Sequence, residues 1–216
     1  MVNLTEFFGP LSPLDKLLNG FQPRQGQASM AEEVAYAIKE DQHLVVEAGT
    51  GIGKTFAYLV PAMLSERKVI ISTGTKTLQD QLYHRDLPLI SKAIGRPIST
   101  ALLKGRSNYL CLNRLNLASS NDRYISRDLN LVNQWKHQTI TGDKTELSDV
   151  PETSMVWPLV TSTIDNCLGR KCSDYQDCHV MKARKNAQES DLLVINHHLL
   201  FADLTMKEEG FAEFLP

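Results

Sequence analysis

Two sets of residues in this chain could do chemistry. The first is the run EAGTGIGKTF, residues 47–56. It fits the phosphate-binding pattern G-x-x-x-x-G-K-[ST], with Ala48 in the first glycine position. Gly49, Gly51 and Gly53 let the backbone turn tightly, so that N–H groups from Ala48 through Lys54, those of Thr50 and Ile52 among them, can point at phosphate oxygens. A helix beginning near Lys54 would add its positive N-terminal end. Lys54 would place a cation on the β- and γ-phosphates, and Thr55 would offer a hydroxyl to Mg²⁺. The expected ligand is therefore ATP with Mg²⁺. Upstream, in FQPRQGQASM, Gln27 carries an amide able to donate to and accept from the edge of adenine, with Arg24 one helical turn before it. Spacing alone favours both being surface residues at the start of an amphipathic helix.

The second set is the four cysteines, Cys111 and then Cys167, Cys172 and Cys178 in NCLGRKCSDYQDCHV. The start of the chain has no basic stretch leading into an apolar one, so no secretory signal is expected. A cytoplasmic setting follows as an expectation, and there thiols stay reduced and disulfides are disfavoured. The spacing C-x₄-C-x₅-C after a long gap leaves zinc, an iron–sulfur cluster and separate structural thiols all open.

The elements that must position these groups can be read from the apolar pattern. HLVVEAG reads as a buried strand ending in glycine, and KTFAYLVPAMLSER as the helix after it, with Pro61 interrupting. KVIIST reads as a second strand. TKTLQDQLYHRDLPLISKAI has helical spacing, with Thr75 or Thr77 as its N-cap. STALLKG is a weaker third strand, and SDLLVINHHLLFADL gives a fourth strand running into a helix. Strands alternating with helices predict an α/β fold with a parallel sheet. More than 80 residues separate the third and fourth strands, too many for a plain connection, so they read as an inserted subdomain with one helix near YISRDLNLVNQWKHQT. Its apolar residues look too sparsely patterned to build a strong core unaided.

Composition excludes little. A 42% apolar and 22% charged chain is ordinary for a globular protein, and the net charge of −2 does not favour nucleic acid. No apolar run is long enough to span a membrane. Charge is nevertheless uneven: Lys104, Arg106 and Arg114 stand without acids between residues 104 and 115, and Arg170, Lys171, Lys182, Arg184 and Lys185 face only Asp174 and Asp177 between 167 and 185. Both basic windows contain cysteines.

Taken in order, RQGQASMA, VVEAGTGIGKT, KVIISTGTKTLQDQL, LLKGRSNYLC, WPLVTSTIDNCLGRKC with DCHVMKAR, and LLVINHHLL resemble the iron–sulfur superfamily 2 DNA helicases of the XPD and DinG family, from about Phe21 onward. The alanine-first loop is usual there. The resemblance implies a RecA-like P-loop lobe over residues 1–103, an inserted iron–sulfur subdomain over 104–187, and a return to the lobe over 188–216. It implies that Arg24 and Gln27 sense adenine, that residues 48–55 bind nucleotide, and that Ser72, Thr73 and Thr75 contact a DNA strand, although helix capping would also suit them. It implies a [4Fe–4S] cluster on Cys111, Cys167, Cys172 and Cys178, with His179 supporting the site or facing solvent. Lys104, Arg106, Arg170, Lys171, Lys182, Arg184 and Lys185 become expected backbone contacts to single-stranded or forked DNA, and Tyr109 either a base-stacking or a core residue. The implied activity is that of an ATP-driven 5′→3′ DNA helicase of replication and repair, with a polymerase accessory subunit as an implied partner and no membrane role. No Asp-Glu-Ala-His box occurs in the sequence, so this chain alone is expected not to hydrolyse nucleotide. The rival readings are another P-loop ATPase with a zinc-stapled insertion, and a fragment that only binds DNA or a partner.

Overall fold

A computed structural model describes residues 3–18, 20–120, 126–209 and 215. The chain divides into two compact units, residues 1–102 with 189–197, and residues 103–188 with 198–216. The sequence expectation places residues 188–216 in the first lobe; residues 189–197 group with the first unit, and the described residues after 197 with the second, where the Leu215 N–H donates to buried Asp203.

In the first unit three strands form a parallel sheet in the order β1-β3-β2: β1 (Val69–Thr73), β2 (Thr100–Leu102) and β3 (Leu192–Asn196). Val69 and Thr100 both stand opposite Leu192, so both edge strands share one register with the centre. β3 is the apolar run LLVI with all four residues buried, as a strand covered on both faces requires. The helices are α1 (Leu4–Phe7), α2 (Pro13–Leu17), α3 (Gln25–Lys39), α4 (Lys54–Leu64), α5 (Lys76–Gln81) and α6 (Leu87–Ile94). Thr75 caps α5 by accepting the Leu78 N–H at 3.2 Å. A π-helical turn, Leu82–Asp86, joins α5 to α6, and Gly95 ends α6 in the left-handed region at φ 73°. α4 passes through Pro61, which is buried on the apolar side of the helix. The core gathers Phe8, Leu14, Leu59, Val60, Leu87, Ile90, Leu192 and Val194.

One expected strand is not formed. Residues 43–49 belong to no helix or strand and have no ladder partner, and Val45 is 96% exposed. An apolar β-branched run becomes a strand only where a neighbour takes up its N–H and C=O groups. Among the described residues β1 pairs only with β3, and nothing pairs along residues 43–49.

The second unit is built from α7 (Leu112–Ser119), α8 (Arg127–Trp135), α9 (Val156–Val160), α10 (His179–Glu189) and α11 (His197–Glu208), whose first residue belongs to the other unit. It corrects the expectation of a weak core. Leu110, Leu115, Leu129, Val132, Trp135, Val150, Val156, Trp157 and Val160 form a single buried cluster. Trp135 and Trp157 meet edge to face with ring centres 6.3 Å apart, and the Trp157 indole N–H donates to the Pro151 carbonyl at 2.9 Å. These apolar residues come from short helices and turns, so no single stretch shows their period. Removing the Trp157 indole should cost the second unit about 3–5 kcal/mol. Trp157→Ala is expected to unfold at markedly lower denaturant, read by circular dichroism against the parent chain.

Candidate functional site

The phosphate loop lies between residue 47 and α4. Gly51 and Gly53 take φ of 83° and 86°, backbone that residues with a Cβ rarely adopt. Gly53 is needed twice over, because a Cβ there would sit 2.2 Å from Gln27 Nε2. That contact exists because the first turn of α3 packs against the loop. Gln27, only 3% exposed, donates to the Gly53 carbonyl at 2.9 Å, and the Arg24 guanidinium donates to the Gly51 carbonyl. The two residues that spacing left as either surface or site are thus struts of the loop. Lys54 reaches back over it, its ammonium donating to the carbonyls of Ala48 at 2.8 Å and Gly49 at 2.7 Å. Thr55 lies in the first turn of α4, one turn before Tyr58. Burial pushes the Tyr58 phenol above its ordinary range, and the neighbouring Thr55 side chain works against that rise. The positive end of α4, a cation and a hydroxyl therefore converge on one tight turn.

At the carboxyl end of the sheet, Ser72, Thr73 and Thr75 lie close together. Ser72 Oγ is 2.7 Å from His197 Nδ1, the Thr73 hydroxyl donates to the Thr75 carbonyl, and Thr75 caps α5. Sequence reasoning gave His197 no role. The structure makes it the partner of Ser72, a pairing that only the sheet register reveals.

The cysteines gather in the second unit. The Leu110 N–H donates to the Gly142 carbonyl and the Cys111 N–H to that of Val160, each at 2.8 Å, which fixes Cys111 at the start of α7. Cys172 follows a short turn made by Gly169 at φ 55°, and Cys178 immediately precedes α10. All four line one cavity of about 120 Å³. Burial pushes the Cys111 thiol up, a backbone hydrogen bond near Arg114 works against that rise, and the nearby charges of Cys178, Cys172 and Cys167 add to it. Among the described residues no three His, Cys, Asp or Glu side chains are gathered to hold a single metal ion. One zinc would draw its sulfurs to within about 3.8 Å of each other, from bonds of about 2.3 Å. Four free thiols line this one cavity, and thiolates are ligands for zinc and for iron–sulfur clusters alike.

The expected DNA contacts separate by burial. Arg170, Lys171, Lys182 and Lys185 are exposed, Lys182 forming an ion pair with Asp177 at 2.9 Å. Lys104 corrects its expectation. It is 2% exposed, its ammonium 2.7 Å from the Asp143 carboxylate, and it is placed to hold this unit together rather than to meet a phosphate. Tyr109 is also buried, its hydroxyl accepting the Lys104 N–H at 3.0 Å, which makes it a core residue. Arg106 and Arg184 are half-buried and line the cysteine cavity. His179 does not face solvent. It is buried against Gly142, and burial holds its pKa below the ordinary value.

With this geometry in hand, the comparisons with known proteins fall into place. Residues 26–126 match the DEAD/DEAH box helicase family. It is similar to the ATP-dependent DNA helicase YoaA of Escherichia coli, 54% identical over 99% of this chain and 34% of that protein. It is also similar to YoaA of Haemophilus influenzae, 48% identical over the same shares, and to the ATP-dependent helicase DinG of Mycobacterium tuberculosis H37Rv, 38% identical over 83% of this chain and 31% of that protein. The chain spans about a third of the length of these relatives. No helix among the described residues is long and apolar enough to cross a membrane.

Two outcomes follow. Gly53→Ala should force Gln27 off the loop and strain the turn; a fluorescent ATP analogue should bind at least about tenfold more weakly, one lost charge-assisted contact being worth about 1.5–3 kcal/mol. Lys104→Ala should leave the Asp143 carboxylate buried without its cation, at a cost of about 3–5 kcal/mol, read by denaturant unfolding against the parent chain.

Proposed function

We propose that this chain is the nucleotide-binding and cluster-bearing N-terminal part of an ATP-dependent DNA helicase that moves 5′→3′ and serves replication and repair. The observation that carries the reading is the braced phosphate loop. Arg24, Gln27 and Lys54 all donate to its carbonyls and so brace the turn, and the N–H groups of such a turn are what would meet an anion. Ala48 through Gly53 would cradle the phosphates, with Lys54 neutralising charge and Thr55 available to Mg²⁺. Arg24 and Gln27, which the resemblance assigns to adenine, would read the base of the same nucleotide. Phosphoryl transfer also needs a carboxylate for the metal and a group to orient water. This sequence offers no Asp-Glu-Ala-His box for the purpose, so the expected behaviour of the chain by itself is binding without turnover.

Cys111, Cys167, Cys172 and Cys178 would hold a [4Fe–4S] cluster, which fits the donor set and the shared cavity. The group would supply binding energy that ties the return segment near residues 167–178 to the start of α7. Ser72, Thr73 and Thr75 would meet the sugar–phosphate backbone of one DNA strand, and Arg170, Lys171, Lys182 and Lys185 would add contacts to single-stranded or forked DNA, without sequence readout. Contact with a polymerase accessory subunit rests on the resemblance to the YoaA branch alone.

The test uses chain purified without oxygen. About four irons per chain with a brown visible band, together with a fluorescent ATP analogue that binds the parent and at least about tenfold less well Lys54→Ala, support the reading. Cys172→Ala should lose iron, colour and much of its affinity for forked DNA while keeping nucleotide binding. A colourless protein holding one zinc, or steady multiple turnover of ATP by the clean chain, would overturn it.

A further inference from the structure

Arg184 was grouped by sequence with the DNA-facing lysines, and the structure sets it apart. On α10, Val180, Arg184 and Ala187 recur at spacings of four and three and share one face. Ala187 is fully buried and Val180 and Arg184 are half-buried, whereas Lys182 and Lys185 are exposed. Val180, Met181 and Arg184 all line the cavity of the four cysteines. Among the described residues lining that cavity, Arg184 and Arg106 are the only cations, and no carboxylate is present. Four ligating thiolates would bring several negative charges into an otherwise mostly apolar space, where charge is costly unless it is compensated.

We propose that Arg184 is a positioning residue of the cysteine site, its guanidinium balancing the charge of the thiolates and of the iron–sulfur cluster they would carry, with Arg106 on the opposite segment as its counterpart. The proposal rests on the cluster reading above. Burial lowers the Arg184 pKa and Arg106 lowers it further, while Cys167, Cys178 and Asp203 of α11 oppose that change, so the charged groups acting on it include two cysteines, one arginine and one carboxylate. Arginine suits the role because it stays charged when half-buried and offers several donors in a plane. A cation beside a cluster favours its reduced, more negative form and so raises the reduction potential.

The test compares the iron-loaded 216-residue chain with Arg184→Gln and Arg184→Lys. Arg184→Gln is expected to lower the reduction potential read by voltammetry, and to lose iron to a competing chelator about tenfold more readily, the scale on which outer-sphere partners act. Arg184→Lys, which keeps the charge, should recover most of the potential. The salt slope of forked-DNA binding should be the same in all three. A footprint on the parent chain needs no variant to fold: iron loading should protect Arg184 from phenylglyoxal, and adding DNA should protect it no further. The proposal is overturned if Arg184→Gln leaves potential and iron retention unchanged but flattens the salt slope by about one phosphate contact, or if DNA alone protects Arg184. A parent chain that takes up no iron overturns the cluster reading and this proposal together, which separates the two kinds of failure.

Discussion

The first unit depends on the hydrogen bonds between Ser99 and Asp191. The Asp191 N–H donates to the Ser99 carbonyl at 3.0 Å and meets its hydroxyl at 2.9 Å, the Asp191 carboxylate accepts the Ser99 N–H at 3.0 Å, and the Asp191 carbonyl accepts the Val69 N–H at 2.8 Å. One residue thereby ties β3 to both of its neighbours, across 92 positions of sequence. Loop-closure entropy rises slowly, by about 0.6 kcal/mol per doubling of length, so a sheet latched at this point tolerates a whole second unit in place of a turn. The same latch sets the register that puts Asn196 opposite Thr73 and brings His197 to Ser72. The polar end of the sheet is thus assembled from both ends of the chain.

Much of the nucleotide site was legible because its chemistry is local. Glycine at positive φ, a lysine and a threonine at fixed spacing, and a helix behind them leave few alternatives. The strand before the loop was not legible, because Leu44 to Val46 carry the right residue types while strand formation is settled by a neighbour that no local pattern encodes. The N-terminal helices were missed for a related reason. α1 and α2 are only four and five residues long, too short to show a period, yet Phe7, Phe8 and Leu14 are buried in the core. In the second unit the core went unseen because its members are scattered over short helices and turns.

The basic residues carry a similar lesson. Lys104, Arg184 and Lys185 look alike as letters in a basic window. Folding gives the first a buried carboxylate, the second a place in a cavity of sulfurs, and the third an exposed position. Net charge counts all three equally, whereas the work each can do depends on the dielectric around it and on what it faces. The spacing of Val180, Arg184 and Ala187 was the one signal in the sequence that could have separated the arginine from its neighbours.

The pair of indoles in the second unit has a spectroscopic consequence. The chain has two tryptophans, Trp135 and Trp157, and both lie in that one core. Tryptophan emission excited selectively over tyrosine therefore reports on the second unit alone. The phosphate loop and its sheet could melt with no change in that signal, so a single fluorescence transition would describe half of the molecule, and two-state treatment of the whole chain requires a second probe placed on the first unit.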